Sequence, residues 1–443
     1  MDNYSFKLHG GTKLNGDFHI QGSKNEAFQV LCACLLTKQN VTIYNIPQII
    51  DIVVFLEIFE LIGVSINKID DSTYTFNACN LLSPDEIDIQ KFKSLSQSLR
   101  GVVLLIGPWL SRFNKAIMSI PGGDKIGSRK LTTHFEGLKK MNIDTTYNQE
   151  LGIYICQTDH IQSNYVLLEE KSVTATANII LTSVLVEGVT TIYNAACEPH
   201  IQELCKMLNS MGAKISGIGS NKLIIEGVES LHGLEYTIKD DTLEIGSIIS
   251  LAALTESKIN LICKNINPQY LEPILLRFNK IGINASVINE NNILIEREHD
   301  YYIKNQYYSS VLTIDDAPWP GFPTDLLGPL LVSTIQAKGS VLIHEKLYES
   351  RLFFVYNLVA MGARIIICDP HRVYVDGINR QYKLKGTIIS TPDIRAGMSL
   401  LIAALSADGQ TIVNKANIIT RGYQNIVSRL QNIGADIETI SMK

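Results

Sequence analysis

The nine residues Pro121-Gly122-Gly123-Asp124-Lys125-Ile126-Gly127-Ser128-Arg129 hold three glycines, two cations and one carboxylate. Glycine frees the backbone from Cβ sterics, so main-chain N–H groups can turn toward an anion while Lys125 and Arg129 add charge. The chemistry this suits is phosphate handling by a lid, with one carboxylate, Asp124, inside it. Taken alone, the same residues also describe a solvated surface turn. Other charged residues interrupt apolar runs and need explaining. Lys24 and Asn25 open one run, Arg100 lies within a second, Asp325 begins a third, and Asp393 and Arg395 begin a fourth. A helix N-terminus carries partial positive charge and unpaired N–H groups, so Lys24 and Arg395 are unfavourable there unless an anion is present. Arg421 in Thr-Arg-Gly-Tyr and Arg351 in Glu-Ser-Arg-Leu fit the same pattern. The plainer alternative is an ion pair for each, Asp393 with Arg395, Glu26 with Lys24 and Glu349 with Arg351, or a solvated position for Arg421. Cations gathered on one anion would each contribute about 1.5–3 kcal/mol as charge-assisted hydrogen bonds.

The elements that must position these groups repeat along the chain. Apolar stretches with small residues occur at 25–36, 97–110, 172–185, 243–254, 325–337 and 393–405. Being apolar on nearly all sides, they are expected as interior helices. Each is followed by an amphipathic helix ending at a residue that tolerates the left-handed cap: Gly63, Asn142, Gly212, Gly282, Gly362 and Gly434, about 70 to 80 residues apart. Six copies in one order imply two domains of three copies, at 24–239 and at 1–23 with 240–443. Residues 8–20 supply two strand-like pieces that can complete a sheet of the second domain. A ligand is expected in a cleft between such halves.

Length and composition agree with two soluble domains. The chain has 443 residues, 46% apolar and 19% charged, with formal charge −5. That balance disfavours a nucleic-acid scaffold. The longest apolar runs, near ten residues as at 101–110, fall short of the roughly 20 that span a bilayer. No basic-then-apolar leader opens the sequence, so cytoplasm is the expected location. The eight cysteines are scattered, with Cys32 and Cys34 the one close pair, and buried reduced thiols are expected, for example at Ile366-Ile367-Cys368. No metal-ligand spacing, Walker loop or His-based triad competes.

Gly-Ser-Lys-Asn-Glu-Ala at 22–27, the loop at 121–129, the segment 187–201, Asp-Thr-Leu-Glu-Ile-Gly-Ser at 241–247, Phe-Pro-Thr-Asp at 322–325, Asp-Ile-Arg-Ala at 393–396 and Arg-Gly-Tyr at 421–423 are specific in combination. In family order over essentially the full length, they resemble the enolpyruvyl transferases, and the branch acting on UDP-N-acetylglucosamine more than its shikimate-pathway relative. The resemblance implies a two-domain inside-out α/β barrel, each domain three βαβαββ units around buried helices. It implies transfer of the enolpyruvyl group of phosphoenolpyruvate to the sugar 3-hydroxyl, opening peptidoglycan synthesis, with no metal or organic cofactor.

Position by position, the resemblance assigns Lys24, Arg129 and Arg421 to phosphoenolpyruvate, with Arg395 beside it and Asn25 orienting the substrates. Asp325 would accept the hydroxyl proton, and Asp124 would protonate the methylene carbon. Arg100, Arg129, Lys171, Ser172, Val173, Asp325 and Leu347 would contact the nucleotide sugar. Asp124 replaces the cysteine most members carry, which implies insensitivity to the epoxide fosfomycin. Two segments depart from the family pattern. Lys130-Leu131-Thr132-Thr133-His134 stands for Pro-Val-Asp-Leu-His, and Glu170-Lys171-Ser172-Val173-Thr174 for Lys-Val-Ser-Val-Gly. These bear on the nucleotide pocket, so an enolpyruvyl transferase for another nucleotide or sugar is the second reading. A binding paralogue without turnover is a third, disfavoured because Lys24, Asp124, Arg129, Asp325, Arg395 and Arg421 are all retained.

Overall fold

Small residues decide which helices go inside. In the helix Thr242–Leu254, glycine, serine and alanine alternate with isoleucine and leucine, and every residue from Glu244 onward is buried. The helices Thr324–Thr334 and Ile394–Ser406 have the same character and pack against it. A Cβ at Gly246 would stand 2.7 Å from the Leu326 side chain, so glycine there is what lets two helix axes approach. Each of the three helices is backed by its own sheet. Leu330 lies at this centre with no exposed surface. Leu330→Ala is expected to cost about 2–5 kcal/mol, read as a lower urea midpoint by circular dichroism. An unchanged midpoint would contradict this packing.

The computed structural model describes residues 4–123, 126–289, 291–295, 301–303 and 311–441. They fall into two compact units, one of Met1–Gln21, Asp124–Ser128 and Lys239–Lys443, the other of Gly22–Gly123 and Arg129–Ile238. Five sheets share one strand order. In the first unit Leu312–Asp315 runs parallel to Lys338–His344, which is antiparallel to Arg372–Ile378, itself antiparallel to Ile365–Asp369. The chain start serves two more such sheets: Asn15–His19 lies parallel to Lys258–Ile262, and Tyr4–His9 sits between Gln410–Asn414 and Asp436–Ser441. In the second unit the same order recurs from Tyr165–Leu167 and from Glu235–Thr237. The sheet of Lys115–Ser119, Ile153–Gln157 and Asp144–Asn148 has no parallel strand among the described residues. The sheets stay open among these residues, because the chain leaves each ladder for a helix, and helix packing closes the core in place of strand pairing.

All six cap residues adopt the left-handed conformation, with φ of 87° at Gly63, 64° at Asn142, 103° at Gly212, 84° at Gly282, 102° at Gly362 and 99° at Gly434. Two expectations need correction. The stretch 97–110 is not one helix: Arg100–Leu105 is a 3-10 helix and Ile106–Phe113 an α-helix. Pro108 lacks an N–H and its ring excludes an α-helical carbonyl at Leu104. Cys368 is exposed, because Ile366 and Cys368 alternate onto the outer face of the strand Ile365–Asp369; Cys79 is exposed too. No helix among the described residues is long and apolar enough to cross a membrane.

Candidate active site

Helix starts attract carboxylates, and the first unit brings three together. Asp241 caps Thr242–Leu254 by accepting from the Leu243 N–H at 2.9 Å. Asp393 caps Ile394–Ser406 by accepting from the N–H groups of Arg395 and Ala396, both at 3.0 Å. Asp325 is the second residue of Thr324–Thr334. Arg395 joins them: Nε donates to Asp325 Oδ2 at 3.1 Å, Nη1 donates to Tyr423 Oη at 3.0 Å, and its guanidinium lies 5.3 Å from the Tyr423 ring centroid. Arg351 bridges Asp325 and Asp393, the latter at 3.4 Å. Burial pushes the Asp241 carboxyl up to about 6, with Arg395 pulling the other way. Burial alone would lower the Arg351 pKa, but Asp325, Asp393 and Glu345 outweigh it and the net shift is upward.

The ion pairs therefore differ from those the sequence suggests. The Arg395 guanidinium takes Asp325, while Asp393 accepts from the Arg395 backbone N–H. Arg351 takes Asp325 and Asp393, while Glu349, two residues before Arg351, accepts from the Ser128 N–H at 2.8 Å. Ile126 O accepts from the Ser350 N–H at 3.1 Å, so residues 126–128 run along the 349–350 segment. Asp124 and Lys125 lie outside the described residues. Leu347 is 40% exposed, its N–H donating to Glu345 at 3.0 Å. Arg421 ends the 3-10 helix Ala416–Arg421, half-buried.

The second unit holds the other candidates. Ser23 caps the helix Lys24–Cys34, Lys24 Nζ reaches Asp51 Oδ2 at 2.6 Å, and Asn25 is half-buried beside it. Glu26, two residues on and so on another helix face, accepts from Tyr236 Oη at 2.8 Å. Arg100 Nη2 donates to the Arg129 carbonyl at 2.7 Å, and both line a cavity of about 570 Å³ with Lys130, Leu131, Thr132 and Phe135. Lys171 is exposed, Ser172 caps the helix Val173–Ser183 through the Ala175 N–H, and Val173 is its first residue.

The departures from the family pattern find partners here. Thr133 Oγ1 donates to Glu170 at 3.2 Å and His134 Nε2 meets Thr174 Oγ1 at 2.9 Å, tying the helix Thr132–Lys139 to the 170–174 segment. Burial, then Arg100, push His134 down to about 3. Its folded pKa lies below the unfolded value near 6.5, so the stability this gives is present above about pH 6.5 and is lost as pH falls toward 3. The expected result is an imidazole that stays neutral from pH 5 to 8 by NMR, and a resonance titrating near pH 6.5 would contradict it.

Asp241 and Tyr423 join this candidate site, although the sequence points to their motifs and not to these side chains. Asp241 had a usable signal, an Asp at N-cap spacing before an apolar run. Tyr423 had none, because its partners Ser247 and Arg395 are distant in sequence. Among the described residues, no group of three or more His, Cys, Asp or Glu side chains is arranged to hold a metal.

The model of the EPSP synthase (3-phosphoshikimate 1-carboxyvinyltransferase) family matches residues 8–430. A UDP-N-acetylglucosamine 1-carboxyvinyltransferase of Bacteroides thetaiotaomicron is 49% identical over 436 residues, 98% of this chain and 100% of the relative. One from Porphyromonas gingivalis is 46% identical, with the same coverage of both chains. The solved enolpyruvyl transferase NikO of Streptomyces tendae superposes with a TM-score of 0.87 over 100% of both chains at 22% identity, a likeness of fold. With one family model running nearly end to end and full-length relatives sharing close to half their residues with it, the chain belongs to the enolpyruvyl transferase family, among the UDP-N-acetylglucosamine 1-carboxyvinyltransferases.

Proposed function

We propose that this chain carries the enolpyruvyl group of phosphoenolpyruvate to the 3-hydroxyl of UDP-N-acetylglucosamine and releases phosphate. The observation that carries the reading is the half-buried Asp325 carboxylate held between the buried Arg351 and Arg395 at a helix start, in a chain with this family membership. Asp325 accepts the hydroxyl proton as the sugar oxygen bonds to C2 of phosphoenolpyruvate. Asp124 delivers a proton to C3. Loss of a proton from C3 and of phosphate from C2 then restores the double bond. Lys24, Arg129, Arg395 and Arg421 hold the charged groups of phosphoenolpyruvate, and Asn25 orients the two substrates. Arg100, Lys171, Ser172, Val173 and Leu347 serve the nucleotide sugar, with the Arg100 and Arg129 cavity taking its uridine end. In this reading 24–239 and 1–23 with 240–443 are the family's two domains, and the reaction opens peptidoglycan synthesis in the cytoplasm.

The test is phosphate release from phosphoenolpyruvate with UDP-N-acetylglucosamine, UDP-glucose and UMP. The expected result is release with the first alone. Preference for another acceptor would move the chain to a different substrate, and binding without release would make it a paralogue that does not turn over. Fosfomycin alkylates a thiolate, and a carboxylate at 124 forms no thioether with it. The expected result is undiminished turnover after prolonged incubation with the drug, and time-dependent inactivation would contradict this.

A further inference from the structure

Two buried acids have no part in the roles above. Asp316 and Glu345 directly follow the parallel strands Leu312–Asp315 and Lys338–His344, whose last register pair is Asp315 with His344. One step further along that register sets Asp316 beside Glu345, and the Asp316 N–H donates to His344 O at 3.4 Å. Side chains alternate along a strand, and Ile314 and Ile343 face the core. Two residues on, Asp316 and Glu345 face it as well, both 0% exposed, where apolar side chains would ordinarily continue the sheet face.

The acceptors of the pair are nearly all used. Glu345 Oε2 accepts from Thr324 Oγ1 at 2.8 Å, and Oε1 accepts from the N–H groups of Leu347 and Tyr348, each at 3.0 Å. Asp316 Oδ1 accepts from the Lys346 N–H at 2.5 Å, while Oδ2 has no hydrogen-bond partner among the described residues. Nearby charges offset the pair only in part, Arg351 pulling Glu345 down against burial and Asp316. The Lys346 ammonium goes to Asp315, Arg351 makes its ion pairs with Asp325 and Asp393, and the His371 ring meets the backbone oxygen of Glu345. A buried carboxylate oxygen beside a second carboxylate is costly unless a proton lies between them.

We propose that Asp316 and Glu345 share one proton and act as a positioning pair, fixing the 345–348 turn against the start of the helix Thr324–Thr334 and so placing Leu347, Arg351 and Asp325. What the pair positions rests on the functional reading above; the shared proton does not, and is tested without turnover. Burial first, then Asp316, raise Glu345 from 4.5 to about 8. Because the folded pKa is the higher, the stability this gives is fully present below about pH 4.5 and is lost as pH rises toward 8.

Asp316→Asn keeps the acceptor for the Lys346 N–H and supplies a permanent donor to Glu345. The expected result is a melting temperature that falls less than the wild type's between about pH 5 and pH 9, so that the variant gains on the wild type as pH rises. The alkaline limb of kcat/KM for phosphate release is expected near pH 8 in the wild type and at least about one unit higher in the variant. Parallel melting curves, or a limb at the same pH in both, would overturn the proposal. If the variant does not fold, 13C carboxyl NMR of the wild type decides: a carboxyl titrating near pH 8 supports the shared proton, and none titrating above about pH 6 refutes it. A chain inactive on every acceptor would remove the functional reading, and the melting curves would still decide the pair.

Discussion

Asp325→Asn is expected to lower kcat for phosphate release by about a hundred- to ten-thousandfold, the usual contribution of a positioned general base, while UDP-N-acetylglucosamine binds within a few-fold of wild type. Asparagine keeps the size and one acceptor oxygen but cannot take the hydroxyl proton. The carboxylate it replaces is also the shared partner of Arg351 and Arg395, so the substitution leaves two buried guanidiniums with less compensation. Breaking a buried pair costs about 3–5 kcal/mol, and here Arg351 keeps Asp393 and Arg395 keeps Tyr423, which moderates the loss. Stopped turnover with a folded protein and intact binding by calorimetry separates the base from the scaffold. A rate within about threefold of wild type would take Asp325 out of the base role.

Asp124→Asn is expected to abolish turnover to a similar degree with nucleotide-sugar binding retained. Asp ordinarily titrates near 3.9, so at pH 7 only about one in a thousand is protonated, and acting as an acid requires a shift of about three units, or about 4 kcal/mol. Cations such as Lys125 and Arg129 would oppose such a shift, and a trianionic substrate bound beside it would favour it. Asp124→Cys offers the complementary test. A thiol near 8.5 is mostly protonated at pH 7, so this variant is expected to keep measurable activity and to become sensitive to fosfomycin. Near-normal rates in Asp124→Asn would assign the proton to another group.

Both predictions concern side chains whose types were readable from the chain while their neighbours were not. Lys24 was open to pairing with Glu26, but residues two apart on a helix face different ways, so Lys24 meets Asp51 and Glu26 meets Tyr236. Asp393 is the local partner for Arg395, yet it meets the Arg395 backbone N–H and the Arg351 guanidinium, and the Arg395 guanidinium turns to Asp325, 70 residues away in sequence. The threonines that break the family pattern around 132 and 174 acquire meaning through contacts of the helix Thr132–Lys139 with Glu170 and Thr174.

What the sequence determined by itself was local. The six left-handed caps, the buried small-residue helices and the helix-start positions of Lys24, Asp325 and Arg395 follow from backbone sterics and from apolar patterning, both set within a few residues. The tertiary structure alone decided partners: which strand Tyr4–His9 joins, that Asp325 lies between two arginines, and that Asp316 meets Glu345 at the end of a parallel register. Those outcomes depend on how elements far apart in the chain slide and pack against one another. A charge carries no record of the register in which its element will dock, so its partner becomes legible only once the core has formed.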